Sequence, residues 1–230
     1  MTRFVTLLPI AFLAIHVLQP AAQADSLDAV LSRMDKAAKD FRYATADLKQ
    51  TQYTAVIKES SEETAVLRIK RSGKSVTAIT EYTKPAVHAF LIKNKEVQVY
   101  SPKAKIVQAY DLGKYTSTID EFVLLAFGTS GQDLRKNYDI TLGGAETIGS
   151  AATTRLGMVP KSADAKKYIT KIELWIKDDQ GHAIREKITM PGGDYYLVDY
   201  SNVKLDAQLP DSAFDLKLPK DVTIVHPQKH

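Results

Sequence analysis

The chain has 230 residues, 44% of them hydrophobic, with 31 basic against 27 acidic side chains and no cysteine. A formal charge of +4 scattered singly along the sequence excludes a nucleic-acid footprint, and the lack of thiols excludes disulfides, cysteine nucleophiles and cysteine metal sites. Stability must come from an apolar core, which about 200 residues suffice to form.

Arg3 is followed by an apolar run over residues 4–18, and Ala22-Gln23-Ala24 places small residues at the cleavage-determining positions. This predicts a secretory signal peptide over residues 1–24, with a core too short for a comfortable membrane span, and one mature domain over residues 25–230. Without a cysteine to receive a lipid, the product is expected to be exported and not lipid-anchored.

Leu27, Val30, Leu31, Met34, Ala38 and Phe41 recur at helical spacing, with Asp25 or Ser26 placed to cap the first turn. An amphipathic helix of about four turns is expected there. The periodicity then changes to strands at residues 45–57, 64–71, 75–82, 87–93, 96–101 and 105–110, joined by short polar turns. The pair at 64–82 is the sharpest. Ala65, Leu67 and Ile69 share one face, Arg68 and Lys70 point the other way, and Ser72-Gly73-Lys74 supplies the turn. Arg71 has the parity of Leu67 and Ile69, so an arginine ends an apolar face, where it needs a partner or water.

Residues 118–127 interrupt the strands. Thr118-Ile119-Asp120-Glu121 reads as a capping box, residues 122–127 are apolar on all sides, and Gly128 ends the helix. Residues 132–137 add a short helical turn. Strands resume at 138–142, 147–159, 168–178, 182–191 and 195–205, with turns at Gly143-Gly144, 161–167, 178–181 and 192–194. A short segment at 214–218 follows, and residues 226–230 read as a frayed tail. The fold class is α+β, mainly β: a single curved antiparallel sheet of about eleven strands with two or three helices. So long a sheet has one apolar face to cover and few helices to cover it, which leaves room for an apolar hollow.

No residues are grouped for chemistry. His88, His182, His226 and His230 stand far apart, no nucleophile or phosphate-loop motif is present, and carboxylate pairs such as Asp178-Asp179 fall in turns. No enzyme activity, metal or cofactor is expected. Trp175 lies on a charged strand face, where cross-strand packing or a partner contact would account for it.

The order of elements resembles the LolA-type periplasmic lipoprotein carriers over nearly the whole mature chain. The likeness is carried by Phe41 with Leu48 and Gln50, Ile69-Lys70-Arg71, Tyr82-Thr83-Lys84-Pro85, Asn94-Lys95, Val99-Tyr100-Ser101-Pro102, and Phe214 with Leu218-Pro219-Lys220-Asp221-Val222. The resemblance implies an unclosed β-barrel whose helices form a lid over a hydrophobic cavity. It also implies a periplasmic, monomeric carrier that takes lipoprotein acyl chains from an inner-membrane ABC-type lipoprotein-releasing complex to an outer-membrane lipoprotein receptor. Acyl chains carrying on the order of 40 methylenes, at about 0.8 kcal/mol each, do not cross water unshielded. Arg71 matches the family arginine that hydrogen-bonds the closed lid, although Ser72 stands where the family has proline. Candidate cavity residues are Leu67, Ile69, Phe90, Ile92, Ile172, Leu174, Ile184 and Ile188 on the sheet, with Phe122, Leu125 and Phe127 on the lid. The alternatives on the same fold are a lipid- or lipoprotein-sensing regulatory protein and a carrier of another lipid.

Overall fold

Ser26 begins the fold by accepting a hydrogen bond from the Ala29 amide at 3.1 Å, which caps helix α1 (Leu27–Asp40). The computed structural model describes residues 25–227; the signal peptide read at 1–24 and the tail end at 228–230 lie outside the described residues. Six strands follow α1: β1 (Tyr43–Thr54), β2 (Glu59–Ser72), β3 (Ser75–Lys84), β4 (His88–Lys93), β5 (Glu96–Ser101) and β6 (Ile106–Asp111). A 3-10 turn leads into α2 (Thr116–Leu124), then α3 (Gly131–Asn137), β7 (Tyr138–Ile148) and β8 (Ala151–Pro160). The one-turn α4 (Ala163–Lys166) precedes β9 (Lys171–Lys177), β10 (Ala183–Thr189), β11 (Tyr195–Leu205) and β12 (Thr223–Val225).

All twelve strands form one sheet in the order β12-β6-β5-β4-β3-β2-β1-β11-β10-β9-β8-β7. Among the described residues only the β12–β6 pairing is parallel. The edges β12 and β7 do not pair with each other, so this is the unclosed barrel expected. Pairing of β11 with β1 joins the two halves of the chain at the middle of the sheet. Register then sorts the faces: Met158, Ile172 and Ile188 lie opposite one another, as do Ala46 and Leu67. On this inner face Leu31 and Met34 of α1, Leu124 of α2 and Leu134 of α3 join Ile69, Leu156, Ile172 and Leu174 in one buried cluster. The outer face of β2–β6 is covered by the C-terminal segment, where Phe214 packs on Ile79 and Leu91 and Asp215 pairs with Lys93 at 2.7 Å.

Four local expectations need correction. Gly143-Gly144 is not a turn: it lies within β7, where the register slips between Leu142 and Gly144 and Gly144 takes φ +91°. The glycines form a bulge, and the turn falls at Gly149, between Ile148 and Ala151. The 118–121 capping box does not start its helix. The preceding 3-10 turn feeds the helix directly, with the Thr116 amide bonded to the Gly113 carbonyl, so the first amides need no side-chain cap. The helix also ends earlier, at Leu124, leaving Leu125 to Gly128 as a tight turn.

The polar stretch Glu59 to Glu63 belongs to β2, because β1 templates it as far as Thr54–Glu59. The expected alternation of faces is missing there, but ladder hydrogen bonds do not need it. Finally, β12 escaped the strand count: three residues after Pro219 are too few for periodicity to show.

Candidate functional site

Arg71 stands at the end of β2, held by its own amide bonding to the Arg42 carbonyl at 2.8 Å. Its guanidinium donates to the Gly128 carbonyl at 3.1 Å and to the Ala38 carbonyl at 3.3 Å. Both acceptors belong to ends of helical segments, where carbonyls lack intrahelical partners and the helix dipole is negative. One planar group with five donors therefore ties the sheet to α1 and to the turn that closes the α2 lid. Glycine suits position 128, because a Cβ there would lie 2.8 Å from both Phe41 Cδ1 and Leu124 Cδ2 and their side chains would have to shift. Beside this contact is a hollow of about 570 Å³ lined by Asp35, Lys39, Arg42 and Arg71.

Most of the remaining sequence-selected residues meet beneath the lid. Leu67, Ile69, Ile172 and Leu174 are buried with Leu125 and Phe127, and Phe122 and Ile188 pack partly buried against them. Phe90 and Ile92 share the inner face, as their positions opposite Thr80 and Ala78 show, but fall outside the helix-covered cluster. Phe90 is 37% exposed, and its cross-strand partner Val99 is half-buried. The inner face thus has a covered part and an open apolar part along β4 and β5. Ile184 departs from expectation. The register shifts between Ala183 and Arg185, so Ala183 enters the buried cluster and Ile184 does not join it. Trp175 is buried on the outer face; its indole donates to Glu146 Oε2 at 2.6 Å and its ring faces Arg185, which is cross-strand packing.

A polar row, not evident from the strand pattern, crosses the inner face. Glu186 is only 6% exposed and accepts from the Tyr200 hydroxyl at 3.0 Å. Burial pushes its carboxyl up to about 7, against the pull of that hydrogen bond. The Phe127 ring sits edge-on to Tyr200 at 5.0 Å and stacks on His182 at 5.8 Å. His182 is buried with Nδ1 unpartnered, and burial drives its pKa down to about 4. Farther along, Tyr82 donates to Gln50 Oε1 at 3.1 Å and stacks on His88, with burial pushing its hydroxyl up to about 12. Glu186 shares the parity of Ile184 and Ile188, which was the available signal.

A second hollow of about 510 Å³ opens between α2 and the β8–β9 loop, lined by Tyr115, Phe122, Tyr138, Pro160 and Tyr168. Among the described residues no cluster of His, Asp and Glu is placed to hold a metal, and no helix is long and apolar enough to cross a membrane.

No protein-family model matches the chain, and no curated protein matches it in sequence. Solved structures do. An uncharacterized conserved protein from Thermus thermophilus aligns with TM-score 0.54 and 14% identity, over 88% of this chain and 99% of that one. MucB aligns with TM-score 0.52 and 13% identity, over 83% of this chain but only 63% of MucB. A LolA superfamily protein from Nitrosomonas europaea aligns with TM-score 0.42 and 14% identity, over 84% of this chain and 99% of that one. At such identities the likeness is one of fold. With its open twelve-stranded sheet and helices over one face, the chain shares the fold of the Thermus thermophilus protein and of MucB.

Proposed function

We propose that this protein is a non-enzymatic periplasmic carrier that shields lipoprotein acyl chains on its inner face. In this role it receives cargo from an inner-membrane ABC-type releasing complex and delivers it to an outer-membrane lipoprotein receptor. The observation that carries the proposal is the Arg71 contact to Gly128 and Ala38, a polar latch between an apolar sheet and an apolar lid. Breaking a charge-assisted contact of this kind costs on the order of 3 kcal/mol, which burial of about four methylenes offsets. An acyl chain has several times that number, so cargo binding can drive the lid open. Phe90, partly exposed on the inner face beside half-buried Val99, offers the first apolar surface.

The test is release of lipoproteins from spheroplasts by the purified protein, with mass spectrometry of any lipid extracted from it. Release with acylated protein bound supports the carrier; no release at any protein concentration removes it. A second role on this fold is represented by MucB, which has been solved in complex with MucA. A lipid-sensing regulator would bind acylated protein without releasing it from membranes, and the same assay separates the two.

A further inference from the structure

In an antiparallel sheet successive turns alternate between two ends. The β2–β3 turn, with Arg71 and Gly128, marks the latched end. The β1–β2, β3–β4 and β8–β9 connections lie at the opposite end; Tyr115 follows β6 from the latched end, where the Leu112 amide bonds to the Lys95 carbonyl, but lines the same hollow as Tyr138, Pro160 and Tyr168. The five most exposed large apolar or aromatic side chains among the described residues are Val56, Ile57, Val87, Tyr115 and Tyr168, from 58% to 90% exposed. Val56, Ile57, Val87 and Tyr168 are on connections at this end, and Tyr115 meets them across the hollow it shares with Tyr168. Exposure so marked and so confined is unusual for a surface that meets only water.

Each of these tips carries a lysine close by in sequence: Ile57-Lys58, Lys84 three residues before Val87, Lys114-Tyr115 and Lys167-Tyr168. Lys58, Lys84 and Lys114 have no ion-pair partner among the described residues; Lys114 lies over the Tyr115 ring at 5.2 Å, and only Lys167 is paired, with Asp164. The acids at this end include Glu59 beside Lys58. We propose that this end of the sheet is a membrane-docking surface for an anionic lipid bilayer, with the apolar tips entering the headgroup–acyl boundary and the lysines meeting lipid phosphates. Four separate projections do not make the continuous face that a protein partner of fixed shape would bury. A laterally fluid apolar layer accepts them one by one, and aromatic and lysine residues are the side chains suited to its interface. Docking goes beyond the carrier role and does not depend on it, since it requires no lipoprotein.

The experiment is flotation of the protein with vesicles of phosphatidylcholine alone or mixed with phosphatidylglycerol, at low and high salt. Binding is expected to the mixed vesicles and to weaken with salt. The Val56→Asp/Ile57→Asp and Tyr168→Asp variants, whose changed side chains are exposed, are expected to melt like the parent and to bind vesicles roughly tenfold more weakly or worse. Failure to bind either vesicle, or equal binding by variants and parent, overturns the proposal. So does loss of self-association in the variants at equilibrium sedimentation, which would make these tips a contact between copies. Lipoprotein release from spheroplasts, read in parallel, reports on the carrier role separately.

Discussion

The Arg71 guanidinium and the Gly128 carbonyl oxygen lie 3.1 Å apart, joining the end of a sheet strand to the turn that ends the lid. Replacing Arg71 with Leu leaves the Gly128 and Ala38 carbonyls without this donor. The expected cost is about 1–3 kcal/mol in urea unfolding, together with cargo that is bound but not passed on. Normal transfer between donor membranes and a receptor by the variant would remove Arg71 from the mechanism.

Gly128→Ala tests the same junction from the other side. Its Cβ would meet Phe41 and Leu124 at 2.8 Å, so either those side chains or the turn that holds the Gly128 carbonyl must shift. A loss of roughly 1–3 kcal/mol is expected by denaturant titration. Unchanged stability would show that the closed junction has room to spare.

Leu174→Ala and Phe90→Ser separate core from binding surface. Leu174 is fully buried under the helices, so its truncation should cost about 2–5 kcal/mol. Phe90, 37% exposed and edge-on to Tyr82 and His88, should cost less, about 1–2 kcal/mol, while weakening the binding of a fluorescent fatty acyl probe. If Phe90→Ser binds the probe like the parent, acyl chains do not use β4.

Two buried groups give opposing pH effects. Glu186 has its carboxyl raised from 4.5 to about 7, so the folded state holds its proton more tightly than the unfolded chain. Stability from this group is fully present below pH 4.5 and is lost as pH rises through 7, by roughly 3 kcal/mol. Glu186→Gln should flatten that decline in melting temperature. A decline as steep as the parent's would mean that another group causes it.

His182 works the other way. Its pKa falls from 6.5 to about 4 on folding, so its contribution is present above pH 6.5 and lost as pH falls through 4. His182→Phe, which keeps a ring against Phe127, should make the protein more acid-resistant by a few degrees in melting temperature between pH 4 and 6. Equal acid sensitivity in both proteins would place the acid-labile group elsewhere.

Local chemistry made much of the fold legible. The Ser26 cap, the alternation of Leu67 and Ile69 against Arg68, and the Asn94-Lys95 turn, whose two residues take φ +54° and +64°, are decided within a few residues of chain. Arg71 was visible for the same reason: a charge on an apolar parity is a local contradiction. Where pattern misled, a distant strand or bulge had decided. The slip at Ala183 kept Ile184 out of the buried cluster, and β1 drew the patternless Glu59–Glu63 stretch into the sheet. Glu186 does not stand out in the sequence, because its neighbours Arg185 and Lys187 make it look like one more charge on a polar strand.

By itself the sequence determined the class of the protein: a mainly β chain with one apolar sheet face, few helices to cover it, and an arginine where that face ends. Side-chain alternation and turn chemistry act over a handful of residues, so they can be read without knowing the fold. Only the tertiary structure decided that β11 pairs with β1, that Arg71 reaches Gly128 across 57 residues of chain, and that Glu186 and Tyr200 meet beneath Phe127. Those relations depend on which distant segments share the limited space over one sheet face, and packing settles that only when the whole chain closes on itself.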